Sequence, residues 1–261
     1  MELKELTGNP RHDKLITLIS ERGYMNIDEL AQILDVSTQT VRRDIRKLSD
    51  DGFISRHHGG AGRVSNMINT AFEQREISYT DEKTAIANAI ADYIPDNCTI
   101  FITIGTTVEH VARALGIRKN LRIITNSLRV AHILYKHQGL EVMVPGGTIR
   151  SHNGGIIGPS AVSFVEDFRA DYLITSMGAI ESDGTILEFD VNEAAVAKAM
   201  ISHARHLLLA ADHTKFHSSA AVEIGRISQA SALFTDQAPP LQISGYLKQH
   251  QVELHVAKLV D

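Results

Sequence analysis

From residue 81 onward, short apolar runs alternate with amphipathic helical segments, and this alternation restricts the fold more than any other feature. A helical period covers 82–93 and an apolar run covers 99–104. A helix with Val108, Val111, Ala112 and Leu115 on one face follows, then a strand at 121–125, a helix at 128–137 and a strand at 140–144. Further apolar segments lie at 172–175, 207–211, 232–235 and 252–256, with helices at 192–204 and 241–249. Such runs, buried on both faces and joined by crossover helices, predict an open, largely parallel α/β sheet. Ligands of these sheets sit beyond the C-terminal strand ends, where loops open into helices.

The loops at those ends carry polar groups. Gly105, Thr106 and Thr107 follow the first strand and open a helix, where glycine, hydroxyls and free N–H groups offer an anion cradle. Asn126 and Ser127 follow the second strand, and Gly146 and Gly147 the third, with Arg150 nearby as a charge partner. Each taken singly is more often just a helix cap, but their succession at consecutive strand ends points to a pocket. Glu188, Asp190 and Glu193 stand at a helix start, either to complement its dipole or to accept from sugar hydroxyls. Asp212 and Lys215 follow a later strand. Lys215 offers a cation to an anionic ligand, or the two simply pair.

The first sixty residues have a different pattern. Asn9-Pro10 starts a helix with Leu15, Leu18 and Ile19 at helical spacing, and Gly23 ends it. Asn26 with Glu29 reads as a capping box for a short helix carrying Ile27, Leu30 and Leu34. After a tight turn at Asp35-Val36, Ser37 caps a third helix with Val41, Ile45 and Leu48 on one face. That phase exposes Thr38, Gln39, Arg42, Arg43 and Arg46, a set suited to phosphates and base edges in a major groove, with Thr40 beside them. Gly52 ends this helix, a strand begins at Phe53-Ile54, and Arg56, His57, His58, Gly59 and Gly60 read as a hairpin wing. Adjacent histidines in a strand point to opposite faces, so no metal site is expected at His57 and His58.

Thr40-Val41-Arg42-Arg43-Asp44, Leu48 and Arg56-His57-His58-Gly59-Gly60-Ala61 resemble the DeoR family of bacterial sugar-metabolism repressors, and the resemblance continues along essentially the whole chain. It implies a winged helix-turn-helix DNA-binding domain at 1–62, a hinge linker at 63–80 and an effector-sensing and oligomerisation domain at 81–261. It also implies that the larger domain has a sugar-phosphate-isomerase-like fold. An enzymatic alternative follows, with Glu188, Asp190 or Asp212 as general base and Lys215 steadying an enediolate. Attachment to a DNA-binding module favours a sensor without catalytic residues or cofactor.

Arg56–Gly60, Ile104–Thr107 and Gly154–Gly158 resemble the branch of the family that answers to glycerol 3-phosphate. Leu6–Asp13, Gly23–Leu30 and Ile102–Arg113 resemble more closely the branch that answers to sulfoquinovose. The resemblance therefore implies a small anionic sugar as effector: sulfoquinovose or its glycerol glycoside, or alternatively a phosphorylated sugar or glycerol 3-phosphate. A sulfonate carries one permanent charge and a phosphate monoester nearly two. A cradle of hydroxyls and N–H groups with few cations suits the weaker charge.

The net charge of −5 fits a basic module on an acidic body, since Arg42, Arg43, Arg46, Lys47, Arg56 and Arg63 outnumber the acids around them. Hydrophobic residues make up 43% of the chain, enough for a substantial core, yet no apolar run reaches membrane-spanning length. The N-terminus lacks the apolar stretch of a signal peptide, so a cytoplasmic protein is expected. The single cysteine, Cys98, reads as a buried small residue rather than a nucleophile. The expected partners are double-stranded operator DNA, the sugar effector and further copies of the chain as a dimer or tetramer, because one small module makes too few contacts for tight specific binding.

Overall fold

The computed structural model describes residues 7, 9–22, 24–51, 53–57, 60–62 and 72–259. The chain divides into two compact units, Met1–Asn66 and Met67–Asp261.

In the smaller unit, α1 (Pro10–Arg22) starts where Asn9 Oδ1 accepts the Arg11 N–H at 3.0 Å. A short strand, β1 (Tyr24–Asn26), leads into α2 (Ile27–Leu34). The capping box is present: Asn26 Oδ1 accepts the Glu29 N–H at 2.7 Å, and Glu29 Oε2 accepts the Asn26 N–H at 3.4 Å. Asp35 turns the chain in the left-handed region at φ 51°. Ser37 then caps α3 (Thr38–Asp50), which is followed by β2 (Ser55–His57) and β3 (Gly60–Gly62). β3 pairs antiparallel with both β2 and β1. Leu15, Ile19, Leu30, Val41, Ile45, Leu48, Ile54 and Ala61 form the core, each large aliphatic contributing roughly 1.5–3 kcal/mol on full burial. The wing strand begins at Ser55, two positions later than expected, because Ile54 turns into this core. β1 was not expected; three residues are too few to show a period of two. Gly23, Gly52, His58, Gly59, Arg63 and the segment 63–71 lie outside the described residues.

In the larger unit, α4 (Phe72–Ile77) precedes α5 (Thr80–Tyr93). α4 interrupts a stretch read as irregular, since six residues anchored by one buried side chain, Phe72, leave no periodic signal. β4 (Thr99–Ile102), α6 (Thr106–Leu115), β5 (Leu121–Thr125), α7 (Leu128–Leu134) and β6 (Leu140–Met143) continue the alternation. An antiparallel ribbon of β7 (Thr148–Ile149) and β8 (Ile156–Ile157) precedes α8 (Pro159–Glu166) and β9 (Ala170–Thr175). Then come β10 (Ala179–Ile180), β11 (Thr185–Glu188), α9 (Val191–Ser202), β12 (Ala204–Ala210), β13 (Val222–Arg226), β14 (Ala232–Thr235), α10 (Leu241–Gln249) and β15 (Glu253–Val256).

The main sheet has seven parallel strands in the order β15-β14-β12-β9-β4-β5-β6. Side chains alternate between two apolar layers: Phe101, Leu173, Leu207 and Leu209 pack into one, Ile100, Ile102, Ile174 and Leu208 into the other. Both faces are covered, as expected for apolar strands of this kind. From β4 the chain runs outward through β5 to β6, then returns beside β4 as β9 and runs the other way. The β4–β9 seam is therefore the topological switch point, where such sheets open a crevice. β10, β11 and β13 form a separate antiparallel sheet that the alternation did not reveal.

Candidate functional site

The exposed face of α3 is built by its cap and its buried stripe. Ser37 Oγ accepts the Thr40 N–H at 3.2 Å and lies 2.9 Å from Thr40 Oγ1. Val41, Ile45 and Leu48 are buried, which turns Gln39, Arg42, Arg43, Arg46 and Lys47 outward, with Thr38 and Thr40 half-buried. Asp44 belongs to the inner face. Burial works against its charge, but hydrogen bonds from Arg11 and His12 outweigh this and hold the carboxyl below its ordinary range. Arg56 and His57 lie on β2, where register pairs His57 with Gly60 across the hairpin.

In the larger unit, the ends of β4 and β9 are stitched together. Thr175 Oγ1 donates to Ser176 O at 2.9 Å, so Thr103 Oγ1 is the donor in its 2.9 Å contact with Thr175. A cavity opens there, lined by Thr103, Ile104, Asn126, Thr175, Glu188 and Glu193, with Ala197 closing it. Asn126 is 2% exposed; its Nδ2 donates to Ile156 O at 3.2 Å, while its buried Oδ1 has no partner among the described residues. An orphaned buried acceptor at a strand end is a place for a ligand hydroxyl.

Of the predicted pocket residues, Asn126, Glu188 and Glu193 line this cavity. Gly105 follows the lining residue Ile104, and its φ of 147° is a conformation that residues with a side chain rarely adopt. No side chain caps α6, so the N–H groups around Thr106 and Thr107 have no side-chain acceptor. Arg150 reaches the cavity wall through its ion pairs, with Nη1 2.5 Å from Asp190 Oδ2 and Nε 3.1 Å from Glu193 Oε1. Asp190 also caps α9, accepting the N–H groups of Asn192 at 2.9 Å and Glu193 at 3.1 Å. Asn153 Nδ2 holds Glu193 Oε1 at 2.9 Å. Ser127 caps α7 through the Val130 N–H at 3.2 Å and is fully buried. Gly146 and Gly147 are exposed; Gly147 instead lets β7 approach β8, since a Cβ there would sit 2.6 Å from Ile157 O.

The charges around Glu188 form a coupled set. Burial, reinforced by Glu193, pushes the Glu188 carboxyl up to about 7 against the Phe189 N–H, Lys215 and Arg75. Burial also opposes charge on Asp212, but Lys215, the Thr214 hydroxyl and Lys83 hold it below its ordinary value. Burial lowers Lys215, with Asp212 opposing. It brings Lys83 down to about 8, again against Asp212. Arg75, Lys83, Thr103, Thr175 and Asn153 were not foreseen. Arg75 lies in the supposed hinge, and Lys83 looks like an ordinary solvated base beside Asp81 and Glu82. Arg75 and Lys83 join Lys215 here, so the expectation of a cradle with few cations does not hold. Cys98 donates to Pro95 O at 3.2 Å, and burial pushes its thiol up to about 11, which leaves it unreactive.

Among the described residues no group of His, Cys, Asp and Glu is arranged to hold a metal ion, and no helix is long and apolar enough to cross a membrane. Residues 11–67 match the DeoR-like helix-turn-helix domain, and residues 78–237 the DeoR C terminal sensor domain. The chain is 72% identical over 254 residues to the HTH-type transcriptional repressor CsqR of Escherichia coli K12, covering 97% of each chain. It is 42% identical to the glycerol-3-phosphate regulon repressor of the same organism, over 94% of this chain and 98% of that one. Ribose 5-phosphate isomerase A from Neisseria gonorrhoeae overlaps 54% of this chain and 56% of its own with a TM-score of 0.38 at 19% identity, too little to argue from.

Proposed function

This chain belongs to the DeoR family and is a transcriptional repressor of that type, and from that premise we propose that a small anionic sugar, binding where β4, β5 and β9 end, releases it from operator DNA. The observation that carries this reading is the small cavity at the switch point, about 20 Å³ in volume, with Asn126 Oδ1 unpartnered among the described residues and Lys215 acting on the lining Glu188. An orphaned acceptor and a buried cation suit a ligand that brings both hydroxyls and negative charge, and the cavity of about 20 Å³ has to widen to seat a sugar.

Sulfoquinovose or its glycerol glycoside is the proposed effector, supported by the stretches resembling the sulfoquinovose-responsive branch. Glycerol 3-phosphate is the second reading, supported by the 42% identical relative named for that regulon. Cations at the cavity do not favour the lower charge of a sulfonate, so the choice rests on sequence likeness. The relatives are named as repressors, and the chain is a regulator rather than an isomerase.

The proposed reader is residues 1–62, with Ser37, Thr38, Gln39, Thr40, Arg42, Arg43, Arg46 and the wing Arg56–Gly59 at the DNA. Residues 63–80 connect it to a sensing and oligomerising domain at 81–261. A dimer or tetramer in the cytoplasm would place repeated modules on repeated half-sites. The reading is tested with an operator that the protein selects from random duplexes. Sulfoquinovose should release the protein from it, and Lys215→Ala or Thr106→Ala should abolish release while DNA binding stays intact. Release by glycerol 3-phosphate alone would move the effector assignment to the second reading. Turnover of a sugar phosphate would overturn the sensor reading altogether.

A further inference from the structure

β15 is the last strand of the main sheet, and no described strand lies beyond it. Its register with β14 sets Glu253 beside Ala232, Leu254 beside Leu233 and His255 beside Phe234. The Glu253 N–H donates to Ser231 O at 3.0 Å and the Ala257 N–H to Thr235 O at 2.8 Å. Glu253, His255 and Ala257 therefore bond toward β14. The N–H and C=O groups of Leu254 and Val256 point away from the sheet.

The side chains of these two residues are also uncovered, Leu254 at 40% and Val256 at 45% exposure. Natural edge strands are blunted by lysine, proline or a bulge. None of these occurs within Glu253–Val256, where pairing with β14 runs without a register shift. The one carboxylate is turned along the strand, with Glu253 Oε2 3.0 Å from His255 Nε2. His255 is itself held in place. Its ring stacks on Phe234 with centres 4.5 Å apart and meets the Tyr93 ring at 5.6 Å. At β6, the opposite edge, the only charge is Glu141, and Arg122 of β5 takes it at 2.7 Å.

We propose that β15 receives the β15 of a second copy of this chain, antiparallel and across a two-fold axis at Leu254, so that two seven-stranded sheets become one. It rests on the self-association proposed above and gives that association its surface. Charge selects the register. An axis at Leu254 sets each Glu253 directly across from the copy's His255, twice over. An axis at His255 or Val256 would leave both carboxylates without a base opposite them. Opposite charges facing each other across a strand pair stabilise it. Each Leu254 then exchanges both backbone hydrogen bonds with its copy, and the Val256 N–H reaches the copy's Val252 carbonyl. An antiparallel strand at the edge of an otherwise parallel sheet is a common arrangement. A two-fold contact closes on itself, and it supplies the two DNA-binding units that repeated half-sites need.

Sedimentation velocity of the full-length protein over a range of concentrations tests this. Val256→Pro deletes an N–H that the chain itself does not use. It should raise the dissociation constant of self-association by roughly tenfold or more. Glu253→Lys and His255→Glu should each weaken association alone, because a base then faces a base or an acid an acid. Mixed in equal amounts they should recover it, since each new lysine meets a new glutamate and the remaining His255 meets the remaining Glu253. That recovery decides the matter if the proline variant does not fold. Amide exchange at 254 and 256 should slow as wild-type protein associates. Unchanged association in folded Val256→Pro, or no recovery on mixing, overturns pairing through β15 while self-association stands. A wild-type protein that stays monomeric at every concentration overturns both.

Discussion

Arg11 of α1 grips Asp44 of α3 from two nitrogens, Nε at 2.7 Å from Oδ2 and Nη2 at 3.2 Å from Oδ1. His12 Nε2 adds a contact at 3.3 Å to Oδ1. Asp44 is 3% exposed, so the acid that ends the Thr-Val-Arg-Arg-Asp motif does not share the exposed face of α3. It ties α3 to α1 and sets how Arg42 and Arg43 are presented.

Asp44→Asn should therefore weaken DNA binding through stability. Losing one member of a buried charge pair is costly, but one side of this pair reaches solvent through Arg11, so a loss of roughly 1–3 kcal/mol is expected. Urea unfolding followed by a probe in the smaller unit measures it. Full stability with lost DNA affinity would place Asp44 at the DNA after all.

The exposed face of α3 predicts two separable phenotypes. Arg42→Ala and Arg43→Ala, where they hold phosphates, should each lower the slope of log affinity against log salt by about 1. Gln39→Ala, where it reads a base edge, should leave that slope alone and relax preference at one base pair by roughly 1–3 kcal/mol. Binding curves at several salt concentrations on operator and mutated operator separate the two. Effector affinity should not change in any of them.

Glu188, lifted to about 7 mainly by burial, should make stability and effector binding pH-dependent. Between its ordinary value of 4.5 and about 7 the folded protein keeps a proton that the unfolded chain has released, so stability falls as pH rises through that window. A neutral Glu188 also repels an anionic effector less. Effector affinity should drop from about pH 6 to about pH 8, and Glu188→Gln should flatten the profile. Calorimetric titrations across that range check it.

His110 has the opposite linkage. Thr84 Oγ1 gives its proton to Thr80 O at 2.7 Å, so it accepts the His110 Nδ1–H at 3.0 Å. Burial, with Arg113 and Lys83, brings the imidazole down to about 4. Between about 4 and 6.5 the unfolded chain binds a proton that the folded protein refuses, so stability falls as pH drops through that window. His110→Gln should lessen this acid sensitivity, read as urea midpoints across the same range.

Much of the architecture was legible because its signals are local. The Asn26–Glu29 box, the Ser37 cap and the stripe of Val41, Ile45 and Leu48 involve residues within a few positions of each other. Apolar runs such as 121–125 and 232–235 sit on strands with the same limits. α4, β1 and the antiparallel sheet were not legible, being too short or too dependent on distant partners to show a period. Ser127, readable as a cap or as a pocket residue, caps α7, while Asn126 beside it lines the cavity.

By itself the sequence determined that a helix-turn-helix precedes a parallel α/β domain, and which face of α3 is exposed. Hydrophobic period and helix capping act over one or two turns, so they are written in consecutive residues. Only the tertiary structure decided that Asp44 turns inward to Arg11, that Arg75 and Lys215 act on Glu188, and that Lys83 acts on Asp212. Those meetings depend on strand order at the β4–β9 seam and on where α4 docks. Groups far apart in the chain come together there only once the sheet has closed around them, where burial makes each unpaired charge costly and thus consequential.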